Sequence, residues 1–187
     1  MTPCLRRALT AAFLLALPDA LPAQSGLPAG VVSARLLPGW RTADGTHMAG
    51  LEIALAPGWK TYWRAPGDAG IPPAFDWSEA RNVSGMRLHW PVPEVTRDNG
   101  LRTIGYSGQV TIPMEFVIPS AGSPAHVSGA VELGICAEVC IPVTLPLAAT
   151  LPAGGGRTPQ IVAALVDRPE TAAEAGVKDV TCRVAPM

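Results

Sequence analysis

The feature that most constrains the fold is a series of short stretches in which apolar residues alternate with others. These stretches are separated by proline and glycine and cover 51–55, 110–116, 127–135 and 143–147. Period-two alternation is typical of strands with one buried face, and such frequent proline argues against long helices before residue 157. The sequence therefore predicts an all-β fold, most simply an antiparallel β-sandwich. Prolines inside several strands predict edge strands or bulges.

The first residues have the order of a secretory signal peptide. Arg6 and Arg7 precede the apolar run ALTAAFLLAL, and small residues suited to processing follow in DALPAQ. The run is short for a membrane helix, which needs about 20 apolar residues. We expect residues 1–23 to be removed after Ala23, taking Cys4 with them, so that the mature chain is exported.

Charge and hydropathy exclude two classes of partner. Removal of the signal peptide leaves 12 of the 14 basic and 14 of the 15 acidic residues. With this balance the chain has no excess of positive charge that would bind nucleic acid or an anionic membrane surface. No second apolar run approaches spanning length, so direct membrane insertion of the mature chain is not expected.

Composition divides the mature chain into two parts. Residues 24–152 form the predicted β domain, and 153–187 begin with the linker PAGGGRTP. Thr158 can cap a short helix that starts at Pro159. The last residues resemble a strand, which we interpret as the possible first strand of a second domain that is missing here.

The segment ICAEVCIP carries the candidate chemistry. Cys136 closes one predicted strand and Cys140 opens the next, so the two lie on facing strand ends. Facing Cβ atoms are about 5 Å apart, close enough for a disulfide. A third thiol, Cys182, lies near the end of the chain, and its role is left open.

Three roles are open for this cysteine pair. As a structural crosslink, a disulfide that closes so small a ring contributes only about 2 kcal/mol to the stability of the fold. Small strained rings are instead the easily reduced disulfides, which favours a redox role. As a metal site, Cys136 and Cys140 suit Cu(I), whereas zinc wants four ligands. Further Cu(I) ligands would have to come from His89, His126, Met86 or Met114.

Two segments together resemble a known family. They are PGWKTYWRAPGDAGIPPAFDW and, further along the chain, ELGICAEVCIPVTLPL. Over about residues 30–151 the chain is similar to the N-terminal periplasmic domain of the DsbD thiol:disulfide interchange proteins. The similarity is greatest to the branch related to the ScsB copper-tolerance proteins. The resemblance implies an immunoglobulin-like β-sandwich in the periplasm. It implies no cofactor, and a protein-disulfide reductase type of electron relay with a separate electron donor.

The resemblance also implies partners and site residues. The pair would receive electrons from a thioredoxin-like or transmembrane donor protein and pass them to periplasmic disulfide-bearing clients, with Cys140 as the attacking thiol. A cap loop at about 97–106 would shield the pair through Ile104 and Tyr106, although both residues could equally pack into the sandwich. Copper(I) binding by the same two cysteines remains the alternative.

Two departures from the family pattern and one aromatic cluster complete these expectations. The spacer between the cysteines is shorter than in the best-studied members, and the chain carries neither a transmembrane conduit nor a thioredoxin-like domain. The electron source is then another polypeptide, or the chain is a fragment of a longer protein, which the strand-like end with Cys182 favours. The aromatic cluster is expected to pack in the core and not to form a binding groove; its members are Trp59, Tyr62, Trp63, Trp77 and Trp90.

Overall fold

The computed structural model describes residues 26–98 and 100–182, which form two antiparallel sheets and one short helix. The predicted signal peptide lies outside the described residues. The strands are β1 (Val31–Arg41), β2 (His47–Leu55), β3 (Lys60–Gly67), β4 (Ala74–Asp76), β5 (Gly85–Leu88), β6 (Glu94–Asp98), β7 (Leu101–Ser107), β8 (Gln109–Val117), β9 (Ala125–Cys136) and β10 (Cys140–Leu151), and the helix is α1 (Pro159–Val166).

One sheet has the strand order β1-β2-β8-β5, and the other has the order β10-β9-β3-β7-β6, with β4 added beside β9. Alternating residues of both sheets face each other and form the main core, which includes Leu51, Ile112, Phe116, Val131 and Ile135. This arrangement confirms the predicted all-β, immunoglobulin-like sandwich with a short helix after it. The four alternating stretches of the sequence correspond to β2, β8, β9 and β10.

Several prolines lie where the sequence predicted them. Strand β10 is an edge strand and contains Pro142 and Pro146. Strand β1 is the edge of the other sheet, and its Pro38 lies at a register shift between Leu37 and Trp40. An edge or a bulge tolerates proline because no ladder hydrogen bond is lost. Pro113 differs, because it lies in β8 between two neighbouring strands.

Helix α1 covers the outer face of the four-stranded sheet. Ile161 is fully buried and packs with Leu37 and Met48 in a second apolar cluster. Gly50 on β2 makes room for it, since a Cβ there would lie 2.8 Å from Ile161 Cγ1. Thr158 precedes the helix as predicted, but its side chain makes no capping hydrogen bond.

The region after the helix contains no further strand as far as the structure describes it. Residues 177–182 have no regular structure, and Cys182 is an exposed free thiol. The predicted division at residue 152 and the possible second domain stay predictions. In the part of the chain that the structure describes, no helix has the length and apolar character needed to cross a membrane.

Candidate redox site

Cys136 and Cys140 form a disulfide at the end of the β9–β10 hairpin. The register pairs the two residues directly, and their Cα atoms are 4.1 Å apart. Such a short separation is typical of the closely spaced, non-hydrogen-bonded pairs of an antiparallel ladder. The turn between them is closed by a hydrogen bond from the Ala137 amide to the Val139 carbonyl. The sequence prediction that facing strand ends bring the sulfurs together is therefore confirmed.

The two cysteines differ in exposure. Cys136 is 1% exposed, whereas Cys140 is an exposed residue. Apolar residues next to Cys140 are also open to solvent, with Val139 70% and Ile141 38% exposed. A partner protein therefore has access to the Cys140 side of the disulfide and not to the Cys136 side.

The disulfide lies on the outer face of the six-stranded sheet. Ile135 points into the sandwich core, and successive strand residues point to opposite faces, so Cys136 points outward. Its cross-strand neighbour on β3 is Lys60, whose Nζ donates a hydrogen bond to Thr103 Oγ1 at 3.2 Å.

Tyr62 contacts both sulfurs. Its hydroxyl donates to Cys136 Sγ at 2.9 Å and lies 3.2 Å from Cys140 Sγ. The side chain is 2% exposed, although it lies on the outer face of the sheet. Sequence reasoning missed this contact and assigned Tyr62 to the packed aromatic cluster. That assignment is confirmed for the four tryptophans, which pack against the main core.

The loop 68–73 buries Tyr62. Gly70 lies against the tyrosine ring, since a Cβ atom added there would be 2.6 Å from Tyr62 Cδ1, and Ile71 lies against Gly134 of β9 in the same way, at 2.7 Å. Asp68 anchors the loop to β7, because its amide donates to the Arg102 carbonyl at 2.8 Å and its carboxylate accepts from the Arg102 amide at 2.9 Å. The GDAGIPP segment, which belongs to the first of the two family motifs, is therefore part of the site.

The predicted cap loop at 97–106 is strand from residue 101 onward, because this segment forms most of β7. Tyr106 belongs to the main core, and its hydroxyl donates to the Pro91 carbonyl at 2.9 Å. Burial, with a smaller contribution from the charge of Asp167, raises the pKa of Tyr106. Ile104 is half-buried on β7 and pairs with Val95 of β6. A shielding role for Ile104 and Tyr106 stays a prediction, whereas Tyr62 is seen to contact both sulfurs.

The additional ligands considered for Cu(I) have other partners. Met114 is buried in the core, and Met86 Sδ accepts a hydrogen bond from Trp77 Nε1 at 3.2 Å. His89 pairs with Glu115 at 2.9 Å, and His126 contacts Thr150 at 3.1 Å. Among the described residues, no group of three or more histidine, cysteine, aspartate or glutamate side chains is placed to hold a metal ion. The geometry therefore does not favour copper over disulfide exchange.

One family model and two solved structures are similar to this chain. The family model described as "Thiol:disulfide interchange protein DsbD, N-terminal" matches residues 33–152, and no curated protein matches the chain. Among solved structures, the N-terminal periplasmic domain of ScsB from Proteus mirabilis is 31% identical with a TM-score of 0.56, covering 74% of this chain and 53% of that one. The reduced N-terminal domain of Neisseria meningitidis DsbD is 15% identical with a TM-score of 0.36, covering 67% of this chain and 86% of that one.

The chain thus spans about half of the ScsB domain, 53% of its length. The family match includes both cysteines, Tyr62 and the loop 68–73, and it ends before α1. It covers well over half of the chain, from residue 33 to residue 152. This chain belongs to the family of N-terminal domains of the thiol:disulfide interchange protein DsbD.

Proposed function

We propose that this chain is a periplasmic thiol–disulfide exchange domain that relays reducing equivalents through Cys136 and Cys140 to oxidised client proteins. One observation carries the proposal: a disulfide with one exposed and one buried cysteine, whose sulfurs share a tyrosine hydroxyl. Exchange needs one sulfur that a partner can reach and a second that remains within the domain to resolve the mixed disulfide. Cys140 meets the first requirement and Cys136 meets the second.

A purely structural role explains this disulfide less well. The β9–β10 hairpin is already fixed by a continuous ladder from Cys136↔Cys140 to Ala125↔Leu151. The disulfide joins two cysteines at a sequence separation of 4, and for so small a ring the chain-entropy model gives a stabilisation of only about 2 kcal/mol. Most of the buried core lies between the sheets, on the other side of β9 from Cys136. A bond that adds so little to the fold is better explained by its chemistry.

The proposed relay has two halves. A thiolate of a donor dithiol attacks Cys140 Sγ, the Cys136–Cys140 bond breaks, and its electron pair leaves on Cys136 Sγ. The second donor thiolate then attacks the donor sulfur and expels Cys140, so the donor becomes a disulfide and the domain a dithiol carrying the two donor protons. In the second half Cys140 attacks a client disulfide, and Cys136 resolves the mixed disulfide.

The partners follow from the family and from the exposed end of the site. We propose a thioredoxin-like or transmembrane protein as electron donor and disulfide-bearing periplasmic proteins as clients, with export directed by the signal peptide. The related ScsB structure is a periplasmic domain, which supports this location. Cu(I) binding by the same cysteines is tested separately by titrating the reduced chain with Cu(I).

The reduction potential of the pair tests the proposal. The Cys182→Ser chain, which removes the third thiol, is equilibrated with glutathione or dithiothreitol buffers. We expect a value in the range of known exchange proteins, about −120 to −270 mV, whereas a value below about −300 mV is that of a structural bond and would reject the relay.

A trapping experiment tests the roles of the two cysteines. In the Cys182→Ser background, Cys136→Ser leaves Cys140 without its resolving partner, and Cys140→Ser is the matched control. With glutathione disulfide as the probe, we expect the Cys136→Ser chain to accumulate a mixed disulfide much faster than the control. Equal rates would contradict the assignment of Cys140 as the exchanging sulfur.

A further inference from the structure

The ring of Tyr62 lies in a slot whose two sides are glycines. A Cβ atom at Gly70 would lie 2.6 Å from Tyr62 Cδ1, and a Cβ atom at Gly134 would lie 3.2 Å from Cδ2. The first distance is shorter than Cβ atoms show in real proteins, and the second is shorter than most Cβ contacts. Glycine at both positions therefore lets the ring lie between the loop 68–73 and β9. The slot fixes the ring, and it thereby aims the hydroxyl at the disulfide.

The hydroxyl has a specific use at this position. In the oxidised state the sulfurs of the disulfide are weak acceptors, whereas a thiolate accepts a strong, charge-assisted hydrogen bond. Cys136 is 1% exposed, so a thiolate formed there has almost no water to solvate it. A buried charge is costly unless a donor satisfies it, and the Tyr62 hydroxyl is 2.9 Å from that sulfur.

We propose that Tyr62 is a further catalytic group of this site: its hydroxyl stabilises the Cys136 thiolate when the disulfide opens, and it so makes Cys136 the leaving sulfur. The inference deepens the proposed exchange function and rests on it. As the donor thiolate bonds to Cys140 Sγ, the electron pair of the broken bond moves to Cys136 Sγ, and the Tyr62 hydroxyl proton turns fully to that sulfur. No proton leaves Tyr62, so the residue is unchanged after each cycle.

The same contact explains why the two sulfurs differ in their roles. The hydroxyl has one proton, which it shares between two sulfurs 2.9 Å and 3.2 Å away in the oxidised state. Once the bond breaks, Cys140 is bound to the partner and carries no charge, so the proton has one charged acceptor left. The leaving group with the lower thiol pKa departs faster. Attack is therefore directed to Cys140 both by exposure and by the stability of the product thiolate.

Replacement of the hydroxyl alone tests this inference. Tyr62→Phe keeps the ring in the slot. Tyr106→Phe is the matched control, since it keeps the ring to which shielding was assigned and removes only a hydroxyl that donates to the Pro91 carbonyl in the core. Both changes are made in the Cys182→Ser background, with and without Cys140→Ser. The first measurement is the pKa of the Cys136 thiol in the single-thiol chains, from thiolate absorbance in the far ultraviolet as a function of pH. The second is the rate at which dithiothreitol reduces the disulfide.

For Tyr62→Phe we expect the pKa of the Cys136 thiol to rise by about one to two units, the size of one hydrogen bond to a charged group. Reduction by dithiothreitol should slow at the same time, while Tyr106→Phe changes neither quantity. An unchanged pKa in Tyr62→Phe, or an equal shift in both variants, would overturn the inference.

The outcome for Tyr62 and the outcome for the relay can be told apart. A potential in the exchange range with no effect of Tyr62→Phe rejects the tyrosine role and leaves the relay standing. A potential below the exchange range together with a raised thiol pKa in Tyr62→Phe rejects the relay and supports the contact to the thiolate. Thermal unfolding of the oxidised Tyr62→Phe chain checks that the slot is still filled.

Discussion

Gly134→Ala is predicted to destabilise the domain through the loop that covers the redox site. The backbone of Gly134 is not in the left-handed region, so alanine meets no conformational strain there. The added Cβ would lie 2.7 Å from Ile71 Cβ and 3.2 Å from Tyr62 Cδ2, which forces the loop 68–73 or the ring to move. Overpacking of this kind costs about 1–3 kcal/mol of the free energy of unfolding.

Urea unfolding of the oxidised Cys182→Ser chain measures this cost. With a denaturant slope of about 1–3 kcal/mol per molar, the midpoint should fall by on the order of 1 M. Gly122→Ala is the matched control, because a Cβ atom added there would meet no other atom within 4 Å and its backbone is equally permissive. The control should leave the midpoint unchanged or raise it slightly. A Gly134→Ala midpoint at or above that of the control would refute the packing of the loop on the site.

Three further predictions follow from the structure. Ile161→Ala removes a fully buried side chain from α1 and should lower the free energy of unfolding by about 2–5 kcal/mol. Val166→Ala, whose side chain is 80% exposed on the same helix, should lower it by almost nothing. Equal urea midpoints for the two variants would show that the helix does not pack on the sheet. Burial raises the pKa of Glu115, but hydrogen bonds from Thr46 and His89 outweigh this effect and hold the pKa below its ordinary value. The stability that Glu115 contributes is therefore present above its unfolded-state pKa and is lost as the pH falls through its folded-state pKa. Urea midpoints between about pH 6 and pH 3 should therefore fall more for the parent chain than for Glu115→Gln, and parallel curves would contradict this account. In the reduced chain, iodoacetamide should label the exposed Cys140 well before the buried Cys136. Mass spectrometry of the early products measures this order, and equal labelling of the two cysteines would contradict the difference in exposure.

Much of the fold could be predicted because the relevant signals are local. Alternation of apolar residues identifies β2, β8, β9 and β10, since a strand with one buried face repeats every two residues. Pro159 marks the first residue of α1 for a similar reason, because a helix tolerates proline in its first turn. Strands β1 and β3 to β7 were not singled out, because they are short or have irregular burial that leaves no clear alternation.

The candidate site divides in the same way. The sequence by itself determined the pairing of Cys136 with Cys140, because two strands joined by a tight turn bring their facing ends together whatever the rest of the chain does. Only the tertiary structure decided that Tyr62, 74 residues before Cys136, contacts both sulfurs. It also decided that Gly70 and Gly134 enclose the tyrosine ring and that Tyr106 faces the core. These contacts depend on which strands become neighbours and on which face a loop covers, and no local pattern of residues specifies either.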